Sequence, residues 1–366
     1  MPLHSSLLAP PPFPADGYAA LADRLARLLG TASDVLLLQG EAVLALEAIA
    51  TSLARPGLRA LNVVTSPYGQ NFGAWLRRGG ASVTDVVAPP GQPITVDAVR
   101  RALDAAPAVD VLAVVHGEAA NGALNPLTAI AALAKARGAL LVVDAVASFG
   151  AHALPVDELG LDIVAIGPQK ALAGPAGVSA VAVSARAWSV LAAAPRTAPS
   201  LLSLLDLKDN WLDRGRGALP GTPSTIEFLA LAAALDRVEA IGLPTLIDHH
   251  TRAARATRAG LRALGVPLWI DDDDAASALV TSLRLPAGVT DTALIASAAT
   301  FGAPLAPGHG EVAGRLVRLD HTGLRAACPA VLANVVGLGA ALQQLGVAVD
   351  IGAAAEAIVR SYGARA

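Results

Sequence analysis

The chain has 366 residues, 54% of them hydrophobic and 16% charged, with a formal net charge of −3. That length accommodates a large core and a second domain, and the slightly acidic balance gives no electrostatic case for nucleic acid or an anionic membrane surface. A single cysteine, Cys328, excludes an internal disulfide and a cysteine-cluster metal site.

Arg, Asp or Gly interrupts every apolar stretch before it reaches the roughly 18 residues of a bilayer span, and much of the apolar count is alanine, as at 192–194 and 353–355. A soluble, alanine-rich α/β protein is expected, with no membrane span. The start, Met1-Pro-Leu-His-Ser-Ser6, lacks the basic end and apolar core of a signal peptide, which points to the cytoplasm.

From about residue 34, short apolar runs predict strands at 35–38, 60–64, 83–87, 109–115, 139–143, 163–166 and 178–183. Segments with apolar residues at helical spacing lie between them, such as 42–54, 72–78 and 127–137. Strands apolar on both sides that alternate with helices imply a mostly parallel sheet covered on both faces. Right-handed crossovers then place the turns after the strands along one edge. Gly40, Tyr68, His116, Asp144 and Lys170 all fall in such turns.

Turn-rich stretches follow at 192–200 and 214–223. Long helical patterns come next at 225–241 and 243–264. A strand at 277–283, a helix at 291–301 and a strand at 316–319 precede two helices at 329–345 and 351–362. The expected division is a large domain over 1–224 and a smaller C-terminal α/β domain over 225–366. The four acids at 271–274 read as a solvated loop, because no second ligand group accompanies them. His249 and His250 lie in a helical pattern and are expected to be exposed. The seven histidines make no metal-binding spacing. The chain also lacks a G-x-G-x-x-G after its first strand, a P-loop and a G-x-S-x-G elbow.

Lys170 is one of only three lysines, and it alone follows a buried strand and a Gly-Pro break. Another apolar strand, Ala139-Leu-Leu-Val-Val-Asp144, ends in an acid. An amine and a carboxylate at the ends of neighbouring core strands meet the needs of pyridoxal chemistry. The amine forms a Schiff base with the aldehyde, and the acid holds the pyridine nitrogen protonated.

Three pieces carry a family resemblance: His116-Gly-Glu-Ala-Ala-Asn-Gly-Ala-Leu-Asn-Pro126, Val142-Val-Asp-Ala-Val-Ala-Ser148, and Gly167-Pro-Gln-Lys170 with Gly174-Pro-Ala-Gly177. They resemble the class V aminotransferases of fold type I, and the similarity extends through Leu37–Ala48, Tyr68–Trp75, Gly221–Ser224 and Arg315–Arg318. The resemblance implies that Lys170 is the Schiff-base lysine and that Asp144 pairs with the pyridine nitrogen. It implies that Tyr68 stacks on the ring and that Arg318 grips a substrate carboxylate through two parallel hydrogen bonds. An ordinary salt bridge from Arg318 to Asp320 is the competing assignment. The resemblance also implies a homodimer or homotetramer, in which Thr222 reaches a neighbour's cofactor pocket. Small amino acids and 2-oxo acids are the implied substrates, and no metal is implied.

Three positions depart from the family pattern. Ala119 replaces a Thr or Ser that contacts the ring hydroxyl, leaving that contact to Glu118 or a water. His309 stands at an arginine position, which weakens the hold on the keto acid. The early Gly-Pro loop has no counterpart before Pro14.

The turn Gly40-Glu41-Ala42-Val43 separates two readings of the cofactor. Phosphate-binding members cradle a phosphate here with backbone N–H groups and small hydroxylic residues. A carboxylate at the helix N-terminus instead takes the anion position, and it repels a phosphate dianion by roughly 1 to 4 kcal/mol at contact. It can accept a hydrogen bond from a neutral 5′-hydroxymethyl group. The resemblance is therefore strongest to the branch that treats unphosphorylated pyridoxamine and pyridoxal as substrates, with pyruvate and alanine as the other pair. The alternatives are a conventional pyridoxal 5′-phosphate enzyme of the alanine/serine–glyoxylate type, and a catalytically weakened binding protein of the same fold. A glutamate that merely faces solvent is the simplest competing role for Glu41.

Overall fold

A computed structural model describes residues 10–193 and 199–363. The N-terminal hexapeptide and part of the 192–200 turn-rich stretch lie outside the described residues. Among the described residues no helix is long and apolar enough to cross a membrane.

The main sheet has seven strands: β1 (Asp34–Gln39), β2 (Arg59–Val64), β3 (Ser82–Val87), β4 (Val111–Val115), β5 (Leu140–Asp144), β6 (Ile163–Ile166) and β7 (Val178–Val183). Their order is β1-β7-β6-β5-β4-β2-β3. β7 runs antiparallel to both neighbours, and the other six strands share one direction. The expected mostly parallel sheet of a fold-type I α/β protein is therefore present. Strands β4 to β7 are buried at every position, as near-continuous apolar runs in a sheet covered on both faces should be. β3 is one of the two edge strands and exposes Ser82, Thr84 and Asp85. The antiparallel step from β6 to β7 matters for the site. It needs no crossover helix, so a short connection holding Lys170 can stay at the strand ends.

Two of the longer helices carry no expectation from the sequence. Gly17–Leu29 buries Tyr18, Leu21, Ala22, Leu25 and Leu29 at helical spacing. Its ring contacts join Phe13, Tyr18 and Phe228, with centroids 4.8 to 5.7 Å apart. Val96–Ala105 is capped by Thr95 and buries Val99 and Leu103.

A second, antiparallel sheet has the order β8-β10-β9, with β8 (Val280–Arg284), β9 (Leu305–Pro307) and β10 (Leu316–Asp320). β9 is a three-residue strand ending in proline, too short for a period-2 signal. The helix Thr225–Ile241, with which the smaller domain is expected to begin, buries Phe228, Leu231, Leu235 and Val238 in the large core. The helix Leu243–Leu264 spans both cores: Leu246 packs in the first, and Ala253, Leu261 and Leu264 pack in the second.

One local expectation changes and another gains a detail. His250 is fully buried: its Nε2 accepts from the Gly323 N–H at 3.1 Å, and its Nδ1 lies 2.8 Å from the Leu246 carbonyl. The helix turns this face toward both cores, which a local polar pair does not reveal. The acids at 271–274 are exposed, but Asp273 accepts hydrogen bonds from Arg258 and Arg262, so the loop is clamped to a helix.

Candidate active site

One cleft at the carboxyl edge of the main sheet gathers Glu41, Ala42, Tyr68, Ala119, Asp144 and Lys170. Its empty volume is about 340 Å³, part of it open to solvent, within the range of small-molecule sites. Glu41 and Ala42 follow β1, Tyr68 follows β2, Ala119 follows β4, Asp144 ends β5 and Lys170 follows β6. Glu41 and Lys170, 129 positions apart in the chain, meet only because the parallel strands end together.

Asp144 is the last residue of β5 and lies between Val115 of β4 and Ala165 of β6. Its Oδ1 accepts the Val146 N–H at 2.9 Å. Burial raises its pKa to about 6; the Val146 N–H and the Lys170 charge pull the other way, and Glu41 pushes it up. The capping role and the site role thus coincide. Lys170 is half-buried in the β6–β7 turn and faces the same cleft. Tyr68 is half-buried in the first turn of the helix Pro67–Arg78, where its N–H donates to Ser66 Oγ at 3.2 Å.

Glu41 caps the helix Ala42–Leu53, and its Oε2 accepts the Val43 N–H at 2.9 Å. Its Oε1 accepts from Gln169 Nε2 at 2.8 Å. The side chain is therefore curled onto the helix start rather than directed away into solvent. Gly40 precedes it without lining the cleft.

The cleft wall at Gly117 depends on the missing side chain: a Cβ there would lie 2.6 Å from the Ala147 carbonyl oxygen. Ala119 presents its carbonyl to Arg318 Nη1. Arg318 sits on β10, buried, with Nε donating to the Pro307 carbonyl at 3.2 Å and Nη2 3.4 Å from His309 Nε2. It is aimed at the cleft rim and not at Asp320, whose Oδ1 has no hydrogen-bond partner. His309 lines an adjoining hollow with Ser66, Gln70 and Glu311. Thr222 is exposed and does not line this cleft.

Glu118 takes a different position from a replacement ring contact. It does not line the cleft; it is fully buried behind it, and Thr65 Oγ1 donates to its Oε1. Thr65 in turn accepts from Asn125 Nδ2 at 2.9 Å, and the Thr65 carbonyl accepts from Asn121 Nδ2 at 2.8 Å. This network ties the turn bearing Tyr68 to the loop bearing Ala119. Burial raises the Glu118 pKa to about 7, against the Ser66 and Thr65 hydroxyls, with Asp144 adding to the rise. Gln169 stands out in the sequence only as a neighbour of Lys170; its bond to Glu41 spans 128 residues and leaves no local signal.

The residues fit a pyridine aldehyde or its amine. A buried carboxyl with one backbone donor stands ready for a protonated ring nitrogen, an amine lies in the same cleft, and a flat aromatic forms one wall.

Comparison with known proteins agrees. Residues 15–302 match the family model for class V aminotransferases. The chain is 36% identical to a pyridoxamine–pyruvate transaminase of Mesorhizobium japonicum, over 93% of this chain and 86% of the relative. The crystal structure of pyridoxamine–pyruvate aminotransferase from Mesorhizobium loti superposes with a TM-score of 0.89 at 34% identity, covering 95% of this chain and 88% of that one. Ureidoglycine–glyoxylate aminotransferase from Bacillus subtilis superposes with a TM-score of 0.90 at 26% identity, covering 99% and 95%. With an amine, an acid and an aromatic brought to one sheet edge in this fold, the chain belongs to the class V aminotransferases and is a transaminase.

Proposed function

We propose that this transaminase exchanges an amino group between pyridoxamine and pyruvate, giving pyridoxal and L-alanine. The observation that carries the reading is Glu41, whose carboxylate occupies the helix N-terminus where a phosphate would be held. A dianion brought to that position meets repulsion of roughly 1 to 4 kcal/mol. The similarity to a pyridoxamine–pyruvate transaminase supports the same reading.

Lys170, Asp144, Tyr68 and Glu41 would hold the vitamin. When bound, its ring takes up the electron pair left as a proton leaves the substrate carbon. Asp144 would hold a proton at the ring nitrogen, a cation that offsets the burial which raises this carboxyl's pKa. Lys170 Nζ would be the amine that condenses with the aldehyde, releasing water, and, when free, the base that carries a proton between the two carbons. Tyr68 stacks on the ring while Val146 and Ala147 supply apolar walls. Arg318 orients the substrate carboxylate: a guanidinium has five N–H donors, and only three are engaged with Pro307, Ala119 and His309. The assembly is a homodimer or homotetramer in which Thr222, exposed and outside its own cleft, faces that of a neighbour.

Absorbance titration of the apo protein with pyridoxal and with pyridoxal phosphate tests this. Tighter binding of pyridoxal is expected. Tighter binding of the phosphate ester would replace the reading with a conventional alanine/serine–glyoxylate-type enzyme.

A further inference from the structure

Gln169 precedes Lys170 in the β6–β7 turn, yet its amide reaches across the molecule to Glu41 Oε1 at 2.8 Å. With Val43 N–H on Oε2, the carboxylate is held by two donors from two separate elements. A carboxylate only accepts, so the amide nitrogen must face Glu41 and the amide oxygen must face away. That oxygen is buried and has no partner. A buried acceptor left unpaired costs stability, and such costs persist at functional positions.

The turn is built to allow this pose. A Cβ on Gly167 would lie 2.3 Å from Gln169 Oε1 and 3.0 Å from Nε2. Only a glycine at 167 leaves room for the amide to fold back over the turn. Without the Gln169 bond, Glu41 would keep a single backbone contact on an exposed side chain, free to swing into solvent.

We propose that Gln169 is the positioning residue for cofactor selectivity: it locks the Glu41 carboxylate across the anion position, so that a neutral 5′-hydroxymethyl group is admitted and a 5′-phosphate is refused. The proposal rests on the reading that the bound vitamin is unphosphorylated. It adds that Glu41 alone does not discriminate, because a loose carboxylate can move aside. Lys170 reacts alike with either aldehyde, so its contribution cancels in the ratio of the two affinities.

The test measures that ratio in apo protein by absorbance titration with pyridoxal and with pyridoxal phosphate, for wild type, Gln169→Leu and Gly167→Ala. Thermal melts report folding. Wild type is expected to prefer pyridoxal, and Gln169→Leu to lower the preference by roughly tenfold, the effect of one hydrogen bond to a charged group. Gly167→Ala, which pushes the amide off its seat, is expected to give the same change and serves if the leucine variant does not fold. A wild-type preference for pyridoxal that survives unchanged in both variants overturns the role of Gln169 and leaves the proposed function standing. A wild-type preference for the phosphate ester removes both.

Discussion

Two groups of acids in this molecule have opposite fates. Asp144 and Glu118, behind and beside the cleft, are buried and their pKa values rise to about 6 and about 7. The acids at 271–274 are exposed, and Arg262 and Arg258 hold Asp273 below its ordinary value. The residue types are the same. What differs is that a buried parallel strand ends in a dry turn with one backbone N–H to offer, whereas the loop at 271–274 keeps water and gains two guanidinium groups. An acid whose partners are complete serves the fold. Asp144, buried at the cleft wall with one backbone donor, has room for a ligand that brings a cation.

The largest expected effect is at the amine that shares the cleft with Asp144. Lys170→Ala should lower amino transfer by about 10² to 10⁴-fold, the range for a lost proton carrier, measured by alanine formation. Asp144→Asn should follow at roughly 10² to 10³-fold in kcat, as for a lost electrostatic stabiliser. Asp273→Asn should leave kcat unchanged and cost at most about 1 kcal/mol in denaturant unfolding, since that carboxylate is more than half exposed. Equal losses of activity in the two asparagine variants would erase the distinction between the groups. Arg318→Lys should raise KM for pyruvate by roughly tenfold with a smaller change in kcat, because lysine cannot grip a carboxylate through two bonds.

A pH dependence with a definite sign is also expected. The folded pKa of Asp144 is raised from 3.8 to about 6. Between those values the folded protein binds more protons than the unfolded chain, so this group's contribution to stability falls as pH rises, by at most about 1.4 kcal/mol per pH unit. Asp144→Asn removes the effect. Its stability gain over wild type in the apo state should grow from pH 4 to pH 6 and then level off. A gain that is flat across that window would contradict the burial of an ionisable group at 144. His116, His152, His250 and His321 act in the opposite direction, because burial lowers each of them; the comparison with the variant cancels their contribution.

The sheet and much of the cleft were legible in the sequence because their signals are local. Apolar runs of four to seven residues mark the strands, and a Gly-Pro break after one of them marks Lys170. Asp144 was legible for the same reason, as a lone charge closing an apolar run. The helix Gly17–Leu29 has a readable apolar pattern, but it precedes the first strand and no strand–helix alternation marks it. β9 carried too few residues to show a period. The partners of Glu41, Glu118 and Asp273 come from Gln169, Thr65, Arg258 and Arg262, and only the folded chain brings them together. The burial of His250 follows from two cores meeting on one helix, which no window of sequence contains.

The central claim is that the amino group leaves an unphosphorylated vitamin at Lys170. Purified protein stripped of bound cofactor, incubated with pyridoxamine and pyruvate alone, should form pyridoxal and L-alanine in equal amounts. Turnover that appears only after pyridoxal phosphate is added, with pyridoxamine unconsumed, would contradict it.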